Sequence, residues 1–284
     1  MNKFLFSILF LATSCNTGNL KVIADLPIDL NEVSGLTVDQ KNNVFWMIND
    51  SGNKSILYGL DKNGTIIREI FIHAKNRDWE DLTTDIYGNI YIGDFGNNDN
   101  DSKELAILKI AKDSLNNKTI IPERISFTYP EQKKFPPKKS KRHFDCESFF
   151  FYKDSLYLFT KSRVSKKKGQ TNLYQLPSKK GQYKAKLLSS FNTCEESECW
   201  VTSADINKEG NKMALLTESN VFIFSDFKDN DFFNGYVTKY NFNFNSQKES
   251  VFFKNDSTLY IADEYLGIHG GNLYEFSLNV KSKN

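Results

Sequence analysis

Proline is scarce, with six in 284 residues, and no Pro-, Gly- or Ser-rich stretch reads as a linker. The chain therefore offers no boundary for a second domain. Histidine is scarcer: the three, His73, His143 and His269, lie far apart, and no His-Glu-x-x-His pair stands ready for zinc. A Gly-x-Ser-x-Gly elbow and a Walker phosphate loop are also missing, which removes two common signatures of serine and nucleotide hydrolases. Net charge is +2, so no overall field points to nucleic acid, and none is expected as a partner. No apolar run approaches the roughly 20 residues that a membrane-spanning helix needs.

What is present begins at the N-terminus. Met1-Asn2-Lys3 is followed by an apolar run, Phe4–Ala12, then small residues and Cys15. A basic start and a short apolar core read as a signal peptide over 1–14. Small residues directly before Cys15 resemble a bacterial lipobox, although Leu11 sits four residues ahead of the cysteine instead of three. The expected layout is a signal peptide at 1–14, a tether at 15–19 lipidated on Cys15, and one folded domain over 20–284. The expected place is the bacterial cell envelope, reached by export, with the membrane touched only through the lipid. In an oxidising compartment Cys194 and Cys199 can pair, and their spacing permits this without requiring it. Cys146 is left as a small hydrophobe.

Aromatic residues make up 14% of the chain, suited to sheet packing. One pattern recurs five times: Glu32-Val33-Ser34-Gly35-Leu36, Asp78-Trp79-Glu80-Asp81-Leu82, Asp145-Cys146-Glu147-Ser148-Phe149, Thr202-Ser203-Ala204-Asp205-Ile206 and Gln247-Lys248-Glu249-Ser250-Val251. Each is followed by a polar turn and a second apolar run ending at a polar residue: Asn49, Asp94, Thr160, Thr217 or Asp263. A third strand with a central aromatic comes next, and a fourth is visible in four of the five units. Four strands repeated around a ring predict an all-β fold, a single β-propeller of five four-stranded blades. Six blades is the alternative if the long 95–145 stretch hides another. The fifth unit lacks a fourth strand, and an orphan strand at Leu20–Leu26 is placed to complete it and close the ring.

In such a ring the first strand is nearest the axis, so Glu80, Glu147 and Glu249 are expected at one mouth of the channel. Asp94 and Asp263 are expected in a tier beside them, with Asn49 and Asp50. Converging carboxylates repel, and a hard divalent cation, Ca²⁺ or Mg²⁺, is the simplest stabiliser; calcium is the expected cofactor. The plainer possibility is that such residues tie neighbouring blades together. Lysine-rich segments around Arg142 and around Lys161 and Arg163 are expected on the same face, beside the acidic mouth. Either they are solvated loops, or with a cation they hold an anionic small molecule or glycan. If the site is catalytic, Glu80, Glu147 and His143 are the candidate proton-transfer groups. The chain is expected to be a monomer.

Asn49-Asp50-Ser51-Gly52-Asn53, Asp78-Trp79-Glu80-Asp81-Leu82, Gly93-Asp94-Phe95-Gly96-Asn97-Asn98 and Phe144-Asp145-Cys146-Glu147 resemble an uncharacterised family of exported bacterial propeller proteins, as do Leu158-Phe159-Thr160-Lys161 and Gln247-Lys248-Glu249. The likeness covers nearly the whole chain after the signal. More distantly it is similar to calcium-dependent propellers, the phytase-like esterases and the gluconolactonase group. That resemblance implies a divalent cation at the channel mouth and transfers no activity. Three functions therefore stand: a ligand-binding envelope propeller with a cation site, a metal-dependent hydrolase of phosphate esters or lactones, and an interaction scaffold working through its rim.

Overall fold

The computed structural model describes residues 16–194, 199–267 and 269–279. The signal peptide and Cys15 lie outside these. The described chain is a five-bladed β-propeller.

The first strand, β1 (Lys21–Asp25), belongs to the last blade. Blade 1 is β2 (Val33–Asp39), β3 (Val44–Asn49), β4 (Ile56–Leu60) and β5 (Ile66–Ile72). Blade 2 is β6 (Trp79–Thr84), β7 (Ile90–Asp94), β8 (Leu105–Ile110) and, after the short β9 (Thr119–Ile120), β10 (Glu123–Thr128). Blade 3 is β11 (Asp145–Tyr152), β12 (Ser155–Lys161), β13 (Gln170–Pro177) and, after β14 (Gly181–Lys184), β15 (Lys186–Asn192). Blade 4 is β16 (Ser203–Ile206), β17 (Lys212–Leu216), β18 (Asn220–Ser225) and β19 (Tyr236–Asn241). Blade 5 is β20 (Lys248–Asn255), β21 (Thr258–Asp263), β22 (Asn272–Ser277) and β1, which pairs antiparallel with β22.

The long 95–145 stretch holds no further blade. Its β9 adds in parallel to the outer strand of blade 1, and β14 adds in parallel to the outer strand of blade 2. Each therefore laps one blade's edge onto its neighbour and leaves fewer backbone groups unpaired.

The core is five seams, one between each pair of neighbouring blades. A strand inside a propeller is covered on both faces, so its side chains alternate between two seams. Phe149 and Phe151 enter the seam with blade 2, and Phe150 between them enters the seam with blade 4. That is why blade 3 tolerates the apolar run Phe149-Phe150-Phe151. The closing strand does the same through a bulge between Val22 and Ala24, which puts Leu20 in the blade 4–5 seam and Ala24 in the blade 5–1 seam.

Neighbouring blades are also tied near the axis by side chains of one innermost strand that accept backbone N–H groups of the next. Asp81 accepts from Phe149 at 3.3 Å, Thr83 from Phe151 at 3.2 Å, Ser203 from Val251 at 3.1 Å and Asp205 from Phe253 at 2.7 Å. The Ser203 hydroxyl also donates to Asp81 at 3.2 Å, from blade 4 to blade 2, so the ring is crossed at this level. Asp81 and Ser203 hold the fourth place on the ladder, with Thr83 and Asp205 two residues later. Ser203 lies opposite Leu216 as Ser148 does Phe159 and Ser250 does Ala262, so blade 4 begins its pattern two residues earlier than the sequence spacing predicts. In blade 1 the fourth place is Gly35. A Cβ there would stand 2.8 Å from the Leu82 nitrogen, so glycine lets blades 1 and 2 close together.

Candidate functional site

The third place of the pattern is treated differently from the fourth. In blades 1, 2, 3 and 5 the pairing of the innermost strand slips around it: between Val33 and Gly35, Trp79 and Leu82, Cys146 and Ser148, and Lys248 and Ser250. A bulge re-aims the extra side chain, and the residues in question are Ser34, Glu80, Glu147 and Glu249. In blade 4 the ladder corrects the sequence spacing: Ser203 lies opposite Leu216 and holds the fourth place, so the third place is Thr202 and not Ala204. The Thr202 hydroxyl donates to the Lys248 carbonyl as the Ser34 hydroxyl does to that of Trp79.

The upper mouth, where first strands begin and second strands end, gathers these acids. Oxygens of Asp50, Asp78 and Glu80 lie within 4.8 Å of one another. Among the described residues no lysine or arginine forms an ion pair with any of the three. Asp50 and Asp78 share a hydrogen bond, and the Ser51 hydroxyl meets both. Burial, and then Asp50, pushes the Asp78 carboxyl up to about 7. Burial raises Glu80 well above the usual range, with further push from Glu147 and Asp50. Among the described residues these three acids thus gather without an ion-pair partner, although Glu80 lies close enough to Arg163 to favour its charge.

The next blade solves the same problem internally. Lys161 Nζ pairs with Glu147 at 2.9 Å, while Arg163 bonds Asp145 through Nε and reaches Glu147 at 3.5 Å. Register explains this. Lys161 lies opposite Asp145 on the ladder, and Arg163, two residues on, falls on the same side. Burial opposes the Lys161 charge, but Glu147 and Glu249 outweigh it and hold the ammonium ionised. Burial, with Asp145 beside it, keeps Glu147 raised against the pull of Lys161 and Arg163. Trp200 roofs the pair, with Lys161 and Arg163 each 5.2 Å and Lys168 5.5 Å from its ring. Across the mouth, burial lifts Glu249 to about 7, and burial with Glu249 and Asp50 lifts Glu264 to about 9.

Other expected site residues lie elsewhere. Asp94 does not join the cluster: Arg77 holds it at 2.9 Å, and the Arg77 backbone N–H donates to it at 3.1 Å. Asp263 accepts from the Asn272 N–H at 2.9 Å and from the Tyr274 hydroxyl at 2.8 Å. Thr160 and Thr217, at the same repeat position, accept N–H groups of Asn172 and Asn220. This tier fastens the turn from second to third strand, because a side chain ending the second strand is one turn away from those donors. Asn49 donates to the Asp29 carbonyl at 2.7 Å. His143 bonds Ser162 at 3.0 Å, and its pKa is lowered by burial and then Lys167. The Arg142 carbonyl accepts from the Arg163 N–H at 2.9 Å, which brings the two basic segments together. Lys133, Lys134, Lys138, Lys139 and Lys141 are solvent-exposed. Cys194 and Cys199 form a disulfide just before Trp200, and Cys146 is buried and free.

Asp78 and Trp200 escaped the sequence reading. Asp78 opens the repeated pattern and had a signal there; Trp200 follows a loop and had none.

The donor set fits a hard cation: three carboxylates, a nearby hydroxyl and no sulfur or imidazole. Gly96 completes the cradle. A methyl at this position would overlap Glu80 Oε1 and the Asp78 carboxylate. Gly96→Ala is expected to push both acids apart, cost about 1–3 kcal/mol in urea denaturation, and weaken any stabilisation by calcium. Unchanged calcium dependence in that variant would remove Gly96 from the cradle.

No family model matches the chain, and no curated protein matches it. Solved propellers are similar at low identity. A virginiamycin B lyase from Staphylococcus aureus, catalytically inactive and with quinupristin, aligns at 12% identity and TM-score 0.44, over 89% of this chain and 68% of that one. A gluconolactonase from Xanthomonas campestris aligns at 10% identity and TM-score 0.47, over 86% and 71%. A streptogramin B lyase aligns at 12% and 0.47, over 92% and 88%. No residue role is carried over from them.

Proposed function

We propose that this chain is an exported, lipid-anchored propeller whose upper mouth binds a divalent cation, calcium by its donor set, and through it an anionic ligand. The observation that carries this reading is the close grouping of Asp50, Asp78 and Glu80 with no ion-pair partner among the described residues. The protein's own cations at the mouth are already engaged by Glu147 and Asp145, so a bound cation would supply the attraction for negative charge. Trp200, with Lys161 and Arg163 beneath it, forms the wall such a ligand would meet. Export and anchoring rest on the sequence before residue 16; a disulfide at Cys194–Cys199 suits an oxidising compartment.

Metal content is the direct test. After exposure to calcium and exhaustive dialysis, elemental analysis is expected to find about one calcium per chain, lost in Asp78→Asn and Asp50→Asn. Equal calcium in all three proteins would sink the reading.

Hydrolysis of phosphate esters or lactones is the second reading. Acids whose carboxyls hold protons near neutrality, Glu249 at about 7 and Asp78 at about 7, stand at one mouth and are suited to proton transfer. A bound cation would polarise the scissile group. Calcium-loaded protein that turns over no ester or lactone is a binder.

A further inference from the structure

The outer part of blade 2 carries a charge cluster that the mouth does not use. A cleft of about 610 Å³ opens there, lined by Arg77, Lys103, Arg124, Lys184, Ser126 and Gln182 among others. Strand geometry explains the convergence. Arg124, Ser126 and Thr128 share one face of β10, and the parallel pairing sets Ser126 opposite Gln182 and Thr128 opposite Lys184.

Behind this face the fully buried Asp94 carboxylate meets Arg77 at 2.9 Å and Arg124 at 3.6 Å, so both guanidinium groups are held from the rear. In front, the Glu104 carboxylate pairs with Arg77 at 2.8 Å while 70% exposed. The side chains of Ser126, Thr128, Gln182 and Lys184 make no hydrogen bond or ion pair among the described residues, so their donors are available. Four cations, Arg77, Lys103, Arg124 and Lys184, against two acids, Glu104 and Asp94, leave the cleft at +2.

We propose that this cleft is an oxyanion site, taking a small molecule that carries a carboxylate or phosphate on a hydroxyl-rich body. The ligand's oxyanion replaces the Glu104 carboxylate against Arg77, and Arg124 supplies the second guanidinium. That chemistry is shared by uronates and sugar phosphates. The cleft is larger than an inorganic anion requires and falls in the usual range of small-molecule sites. The free hydroxyl and amide donors of Ser126, Thr128 and Gln182 match sugar hydroxyls. Glu104 acts as an internal placeholder, mobile enough to leave because it is mostly in water. The site stands apart from the cation reading of the mouth.

The test is calorimetric titration of the purified protein with glucose 6-phosphate, glucuronate, inorganic phosphate and glucose. Either or both sugar anions are expected to bind, and whichever binds tighter identifies the source of the oxyanion. Glucose is expected not to bind, and added salt to weaken the anions. Glu104→Gln is expected to tighten binding severalfold by removing the internal competitor; Arg124→Gln is expected to weaken it about tenfold or more. Should Arg124→Gln fail to fold, Glu104→Gln, at an exposed position, still decides. Glu80→Gln is expected to leave these affinities unchanged, which separates this site from the mouth. No binding by either sugar anion, inorganic phosphate binding as tightly as the sugars, or Glu104→Gln without effect would each overturn the proposal.

Discussion

A chain truncated to begin at residue 27 is expected to lose its cooperative melt and to associate in solution. The strand removed, β1, pairs along β22 and, among the described residues, is the element that closes blade 5. Its flanks reach further: the Leu26 N–H donates to the Gly271 carbonyl at 2.7 Å, and the Asn19 N–H donates to the Phe242 carbonyl at 2.8 Å beyond β19. Leu20 and Ala24 fill two different seams. Without this segment β22 becomes an open edge and two seams take up water, so the loss exceeds that of an ordinary edge strand. Near-ultraviolet circular dichroism and size-exclusion chromatography read both effects. A synthetic peptide spanning 19–27, added in trans, is expected to restore the melt. A truncated chain that melts cooperatively as a monomer near the intact temperature would show that the ring does not depend on this clasp.

Calcium is expected to raise the melting temperature on the order of 10 °C when present at about 1,000 times its dissociation constant. That excess adds about 4.1 kcal/mol, and a chain of this size gains about 2–4 °C per kcal/mol. Glu80→Gln should behave in opposite ways in the two states. Without calcium it replaces a carboxyl whose ionisation burial, Glu147 and Asp50 oppose, so stability is kept or raised and its fall with pH is reduced; with calcium it loses the response. The pH profile gives an independent readout. Burial lifts Asp78 and Glu249 to about 7 and Glu264 to about 9, from the ordinary 3.8 of Asp and 4.5 of Glu. Between those limits the native state holds more protons than the unfolded chain. Calcium-free stability is therefore full below about pH 4 and falls as pH rises through 7 to 9. Bound calcium takes the protons' place and flattens this slope. Some slope persists, because burial also lifts Asp205 to about 7 away from the mouth. Lys248 adds the opposite trend: burial lowers it to about 8 from 10.5, so its contribution rises with pH between those values. A chelator-treated protein whose stability climbs from pH 5 to 7 would contradict the acidic cluster.

Blade number and the closing strand were legible because five repeats of one pattern leave little freedom, and an unmatched strand at each end of the chain has one economical use. The mouth was half legible. Glu80, Glu147 and Glu249 stand at the repeated position that bulges inward, yet the bulge itself leaves no trace in residue type. Period-two alternation consequently could not say whether the third or the fourth place faces the axis, or which ties the blades. Asp94 and Asp263 were read by proximity along the chain. A strand's last side chain can point to either face, and here local N–H donors captured both. For Lys161 and Arg163 a solvated loop and a ligand-holding wall both stood open; only the register opposite Asp145 shows that they turn inward.

Blades 1 and 4 place hydroxyls, Ser34 and Thr202, where the other three blades offer acids, and both hydroxyls are spent on the next blade's backbone carbonyl. A perfect five-fold ring would give a bound molecule five equivalent orientations. With two of five sectors uncharged at this level, the acids are unevenly spaced, and Lys161 leans between Glu147 and Glu249 on either side of blade 4. The mouth has a front and a back, and a handed ligand entering it can be told from its mirror image.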